Sequence, residues 1–288
     1  MQYYGDVYRP PSEARSLIIQ CTLGCAQNTC TFCSMYKEAG FHVRPQEAIL
    51  NDLRECAAEL PGLRRLFLAD GDAFVLPTDR LLEILHASTR WFPSLERITA
   101  YATVNDILRK SDPELRALHD AGLDMLYVGL ESGSERILEQ IHKAQTQESY
   151  VEACEKAHRA GLRLSVTLIF GLGEQAGSEE HIRESARAIS RSKPEFVSFL
   201  TLHLSPGAPL YDEVQAGRFH LATDREILDE MRSFIRQVDS EGTVFRSNHA
   251  SNPLSIRGTL NADRESMLEQ IDRAEREGGL RPLFWRQL

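Results

Sequence analysis

Ser16-Leu17-Ile18-Ile19-Gln20-Cys21-Thr22-Leu23-Gly24-Cys25-Ala26-Gln27-Asn28-Thr29-Cys30-Thr31-Phe32-Cys33 starts as an apolar run and becomes a loop that carries cysteine every few residues. Residues 16–20 have the length and composition of a buried strand. The chain then repeats this beginning. Strands are expected at 65–69, 98–102, 125–130, 164–170 and 196–202, and the stretches after them have helical spacing: 46–60, 78–88 with Thr78 as its N-cap, one opened by Asp112, Pro113 and Glu114, the pair 134–141 and 147–160, and 178–190. Strand and helix in alternation argue for parallel β/α units. The fold class read from this is α/β, a partial (β/α)6 TIM barrel with a C-terminal, mostly helical extension. Three segments are expected: 1–14 ahead of the barrel, a core over 15–206, and 207–288 packed on it. The last holds helices at 224–238 and 263–277 around a polar stretch, 246–259.

A chain of 288 residues, 42% hydrophobic and 26% charged, has enough material for one full core. Its formal net charge of -9 gives no general attraction to phosphate backbones, which argues for a small-molecule substrate and against nucleic acid. Residues 1–16 are polar and aromatic, without the apolar centre of a signal peptide, and no segment approaches membrane-spanning length. Three of six cysteines crowd into residues 25–33, unlike the spread framework of a secreted disulfide scaffold. A reducing, cytoplasmic compartment and a metal site are expected.

The loop follows the first strand, at the barrel rim where active-site loops sit. Three thiolates with gaps of four and two residues, Cys25, Cys30 and Cys33, can hold three irons of a cubane [4Fe-4S] cluster and leave the fourth open, whereas electron-transfer clusters normally use four cysteines. The competing reading is a structural zinc site with Cys21 as fourth ligand, which lacks the second paired knuckle such sites usually have. Cys56 and Cys154 fall inside expected helices and read as core thiols, as does Cys21.

With those residues in view, the chain resembles the radical S-adenosylmethionine (SAM) superfamily. Residues 18–25 are similar to its strand-to-loop entry, Phe32 takes the aromatic place before the last cysteine, and the first cysteine gap is one residue longer than usual. The resemblance implies a [4Fe-4S] cluster on Cys25, Cys30 and Cys33, SAM on the open iron, and reductive cleavage to a 5'-deoxyadenosyl radical that takes hydrogen from a substrate. It further implies that Asp70, Gly71 and Asp72 form the turn that meets the SAM amino group. Gly129 to Ser134, including Glu131 and Ser132, are similar to a signature of the branch containing coproporphyrinogen dehydrogenases, Elongator-type enzymes and methylthiotransferases, and the match runs on to Lys143. Tyr101 and Asn105 stand where ribose contacts are expected. Thr167, Gly171 and Leu172 lie on the strand and loop that pass the adenine, with Thr167 where an acidic residue is usual. A reductant such as flavodoxin or ferredoxin is implied as partner.

Other residues are weighed without the family. Gly171 and Gly173 also fit ordinary turn chemistry, and Asp70 and Asp72 fit solvated turn residues. Glu131 ends an apolar strand, an awkward place for a carboxylate without a partner. His86, His119, His142, His158 and His181 lie on helical stretches and read as surface or satisfied packing residues. His203 faces the substrate if the alternation Phe199, Thr201, His203 points inward, and Asn248, His249 and Asn252 could close a substrate pocket from the polar stretch. No serine-hydrolase elbow, Walker A loop or zinc-protease helix is present. The alternatives are a non-catalytic iron-sulfur or zinc protein on the same barrel, and an RNA-modifying enzyme of the same superfamily.

Overall fold

The computed structural model describes residues 1, 3–37 and 40–286. In chain order its elements are β1 (Leu17–Gln20), β2 (Thr22–Leu23), β3 (His42–Val43), α1 (Gln46–Glu59), β4 (Arg65–Ala69), α2 (Thr78–Trp91), β5 (Arg97–Ala102), α3 (Val104–Arg109), α4 (Asp112–Asp120), β6 (Leu123–Glu131), α5 (Glu135–Gln140), α6 (Gln147–Arg159), β7 (Arg163–Phe170), α7 (Glu174–Ser192), β8 (Phe196–Thr201), α8 (Pro209–Gln215), α9 (Asp224–Gln237), β9 (Val244–Arg246), β10 (Arg257–Thr259) and α10 (Arg264–Glu277). An eight-stranded sheet runs in the order β1-β4-β5-β6-β7-β8-β9-β10, and β2 pairs with β3 as a separate ribbon. The first six large-sheet strands follow one another in sequence order, as right-handed β/α crossovers require.

All six expected strands form, but the sheet does not stop there. β9 pairs parallel to β8, with Phe196 opposite Val244, and β10 closes the edge antiparallel to β9. Three residues each are too few to register as a period in the sequence, and both strands touch the stretch expected to be only polar tail. Two local expectations also change. Pro77, not Thr78, is the N-cap of α2 and offers no side-chain cap, while the Thr78 hydroxyl bonds Glu114 at 2.8 Å. His142 lies beyond the end of α5, in a left-handed conformation at φ 53°.

Two compact units make up the chain, 1–28, 35–128 and 152–164 in one, and 29–34, 129–151 and 165–288 in the other. In the first, β1, β4 and β5 carry a continuous apolar core that includes Ile19, Leu66, Phe67 and Leu68, all fully buried. Each such side chain contributes roughly 1.5–3 kcal/mol when withdrawn from water. α4 begins with a reciprocal capping box between Ser111 and Glu114. Glu13, from the segment ahead of the barrel, is fully buried and paired with Arg97 at 2.6 Å, with the Tyr127 hydroxyl donating to it.

The second unit is held by aromatic stacking. Phe170 lies flat on Phe199 at 4.0 Å between centroids, and Phe199 meets the edge of Phe234 from α9 at 4.6 Å. Phe245 of β9 completes the group. Ile137, Ile141, Ile169, Leu172, Leu202 and Leu210 form a second apolar cluster, with Phe32 packed against it.

Candidate functional site

Cys21 directly follows β1 and is part of the core. It is fully buried, its N–H donates to Ala69 O and its carbonyl accepts from Arg44 N, and burial pushes the thiol up to about 12. A thiol this hard to ionise is a poor metal ligand, since metals bind the thiolate. Cys25, Cys30 and Cys33 are all half-buried. Among the described residues no three His, Cys, Asp or Glu side chains converge tightly enough to hold one metal ion. The donor set nonetheless suits a cluster with an open iron: three reachable thiols in one loop, and a fourth withdrawn into the core.

In the first unit, the turn after β4 comes close to Cys25. A Cβ built on Gly71 would lie 2.5 Å from the Tyr36 ring and 3.0 Å from Cys25 Cβ, so only glycine admits this approach. Asp70 beside it is 2% exposed, with Gln20 Nε2 donating to Oδ2 at 3.1 Å and the Tyr36 hydroxyl to Oδ1 at 3.4 Å. Burial raises its carboxyl to about 6, against those two hydrogen bonds. The same Gln20 amide clamps the main chain of Tyr4, accepting from its N–H at 2.9 Å and donating to its carbonyl at 3.1 Å. Asp70 and Gly71 therefore face the loop as backbone, with the Asp70 side chain tied inward. Asp72 is buried and precedes a single 3-10 turn, Ala73–Val75. Tyr101, half-buried, stands edge-on to Phe67 at 4.9 Å, and Asn105 lies half-buried in the first turn of α3, which Thr103 caps.

The second unit organises the end of β6. Glu131 takes a left-handed φ of 63° and is 7% exposed, paired with Lys143 Nζ at 2.9 Å. Gly129 makes room for that pair: a Cβ there would lie 2.0 Å from Glu131 Oε1. Ser132 turns inward. It is fully buried and bonds His181 Nδ1 at 2.8 Å, while His181 Nε2 bonds Ile169 O at 2.9 Å. These bonds satisfy a neutral imidazole, which burial pulls down to about 4. His181 is thus a packing residue with a definite task, tying the end of β6 to the end of β7. The cysteine loop is anchored here too, with Thr31 N donating to Ile141 O and Leu210 N donating to Thr31 O, both at 2.9 Å.

Thr167 pairs with Ser198 across β7 and β8, so both lie on the sheet face opposite Phe199 and α9. Gly171 follows at φ 85°, and its N–H donates to Glu230 Oε2 at 2.7 Å. Leu172 and Phe32 belong to the apolar cluster described above.

The substrate candidates differ in their surroundings. His203 is exposed, and Phe199 is fully buried against Phe234, so Ser198 and Leu200 occupy the opposite face of β8. Asn252 is fully buried and fully engaged, donating to Phe199 O at 2.7 Å and Ser247 O at 2.9 Å and accepting from the Thr201 hydroxyl at 2.9 Å. It locks its loop to β8. Asn248 is exposed, and His249 is half-buried against Ser251 at 2.8 Å, its imidazole pulled down by burial, then by Arg281 and His203.

Glu230 was not singled out from the sequence, although Ile227 and Phe234, at i−3 and i+4, put it on the apolar face of α9. That misfit was the available signal. Burial raises its carboxyl to about 7.

Strand order and the alternation of strand and helix define an α/β protein with a mostly parallel eight-stranded sheet, of the partial-barrel class. The chain belongs to the radical SAM superfamily, whose sequence profile matches residues 19–187. Members are enzymes that use a [4Fe-4S] cluster and SAM. Heme chaperone HemW of Bacillus subtilis (strain 168) is 22% identical over 223 residues, covering 75% of this chain and 58% of HemW. Among solved structures, the radical SAM methyltransferase TsrM from Kitasatospora setae, with cobalamin and a [4Fe-4S] cluster bound, superposes with a TM-score of 0.57 at 19% identity, over 70% of this chain and 39% of TsrM. Coproporphyrinogen III oxidase (HemN) from Escherichia coli gives 0.56 at 15% identity, over 78% of this chain and 54% of HemN. The chain spans under two thirds of the length of each. No helix among the described residues is long and apolar enough to cross a membrane.

Proposed function

We propose that this chain is a radical SAM enzyme that abstracts hydrogen from a small-molecule substrate, with its cluster on Cys25, Cys30 and Cys33. The observation that carries the ligand set is the contrast within one loop: three half-buried thiols, and Cys21 buried with its thiol at about 12. A bound cluster and SAM supply reductive cleavage of the sulfur–C5' bond and, through it, hydrogen abstraction. The protein's own part is to bind, orient and keep water out.

In this reading the carbonyls of the turn 70–72 receive the SAM ammonium group, while Gln20 and Tyr36 hold the Asp70 side chain aside. Glu131, poised against Lys143, offers a carboxylate to the ribose hydroxyls or the ammonium. Tyr101 and Asn105 serve the ribose, and Thr167, Gly171 and Leu172 the adenine. His249 and Asn248 remain substrate contacts. A charge of -9 favours a small molecule over RNA. A small electron carrier such as flavodoxin or ferredoxin supplies the reductant, in a cytoplasmic setting.

The test is anaerobic reconstitution with iron and sulfide, reduction with dithionite, and assay of 5'-deoxyadenosine from SAM, beside Cys30→Ala. Production that needs Cys30 supports the proposal. One zinc and no iron, or a cluster that never cleaves SAM, would refute it.

A further inference from the structure

The loop between β7 and α7 is gripped by the C-terminal extension at several points. A Cβ on Gly171 would stand 3.2 Å from Ala222 Cβ and 3.5 Å from Ile227 Cδ1, so the extension lies in contact with the loop backbone. His220 N–H donates to Glu174 Oε1 at 2.9 Å. Glu230, 3% exposed on α9, accepts from Gly171 N–H at 2.7 Å through one oxygen and from the Ser178 hydroxyl at 2.6 Å through the other. Both oxygens of a buried carboxyl are thus committed to one loop and the first turns of the helix behind it.

Packing alone does not ask for this group. Ile227, Met231 and Phe234 already give α9 its apolar face, and a leucine at 230 would extend it without the desolvation cost of a carboxyl. What leucine could not supply is a partner for the Gly171 N–H, which would then be buried and unpaired.

We propose that Glu230 is a positioning residue for the cofactor site, fixing the backbone of Gly171 and the start of α7 from the C-terminal extension and so setting the wall along which SAM lies. This rests on the proposed function, in which the loop at Gly171 and Leu172 passes the adenine. The extension then tunes SAM binding while leaving electron delivery to the cysteine loop. Glutamine can replace both bonds, its oxygen accepting from Gly171 N–H and its amide donating to Ser178 Oγ; alanine can replace neither.

The test uses cluster-loaded full chain as wild type, Glu230→Gln, Glu230→Ala and Ser178→Ala. In Glu230→Ala the peptide covering residues 171–178 exchanges amide hydrogen faster before SAM is added, and KM for SAM rises about tenfold with kcat within about twofold. Glu230→Gln stays near wild type in both, and Ser178→Ala falls between, which keeps the test available if alanine at 230 prevents folding. Faster exchange with unchanged KM, or loss in Glu230→Gln as large as in Glu230→Ala, overturns the proposal. If loaded wild type neither binds nor cleaves SAM, the proposed function fails instead, while the exchange comparison still reports whether Glu230 holds the loop.

Discussion

Cys21 and Cys25 are four residues apart and have opposite fates, and the difference is solvent. A thiol enclosed by β1 and β4 keeps its proton, whereas one on a half-open loop can become a thiolate when a metal approaches. Cys21→Ala should therefore keep full iron content after reconstitution, where Cys30→Ala loses most of it; equal loss in both would return Cys21 to the ligand set. Gly71→Ala is the complementary probe. Its methyl would fall within 2.5 Å of the Tyr36 ring, and overpacking of this kind costs roughly 1–3 kcal/mol. A lowered unfolding midpoint together with poor cluster assembly is expected, and normal values of both would show that the turn has room to yield. The cysteine spacing and the glycine in the turn were legible in sequence because their chemistry is local. Gln20, reaching both Tyr4 and Asp70, was not, because it depends on two strands and a terminal segment meeting.

At the scale of elements, legibility followed length and the purity of the pattern. β4 and β7 are long apolar runs and were readable; β9, with three residues, was not. β8 is readable as a strand, but its phase is not. Val197, Phe199 and Thr201 on one face and Phe196, Ser198 and Leu200 on the other each mix apolar and polar side chains, so the sequence could not say which met a helix. Phe234 of α9, 35 positions further along the chain than Phe199, resolves the choice through direct ring contact with it. Helix starts were clearer where the cap is in the side chain. Ser111→Ala removes one half of the α4 capping box and should cost about 1 kcal/mol in urea unfolding, and an unchanged midpoint would mean that Pro113 and tertiary packing hold the helix start unaided.

For the whole molecule, buried titrating groups of opposite sense shape stability against pH. Burial raises Glu230 from 4.5 to about 7 and Asp70 from 3.8 to about 6, and it lowers His181 from 6.5 to about 4. A raised carboxyl stabilises fully below its unfolded value, and that contribution is lost as pH rises through the folded one. The depressed histidine does the reverse: its contribution is present above 6.5 and is lost as pH falls toward 4. Between about pH 4.5 and 6.5 the two carboxyls outweigh the one histidine, so stability should fall as pH rises, by on the order of 1–2 kcal/mol. Above that window the remaining change is small, and Glu230 is the last to ionise. Wild type should thus lose stability between pH 5 and 8, by an amount on the order of 2 kcal/mol, and Glu230→Gln, which keeps the hydrogen bonds without the charge, should lose little or none. In Glu230→Gln one carboxyl, Asp70, faces one histidine, so stability should be nearly flat from pH 4.5 to 6.5. Urea midpoints of both proteins at pH 5, 6.5 and 8 decide it. Parallel pH profiles would mean that Glu230 ionises without cost in the fold, and that water reaches the carboxyl between α9 and the loop at Gly171.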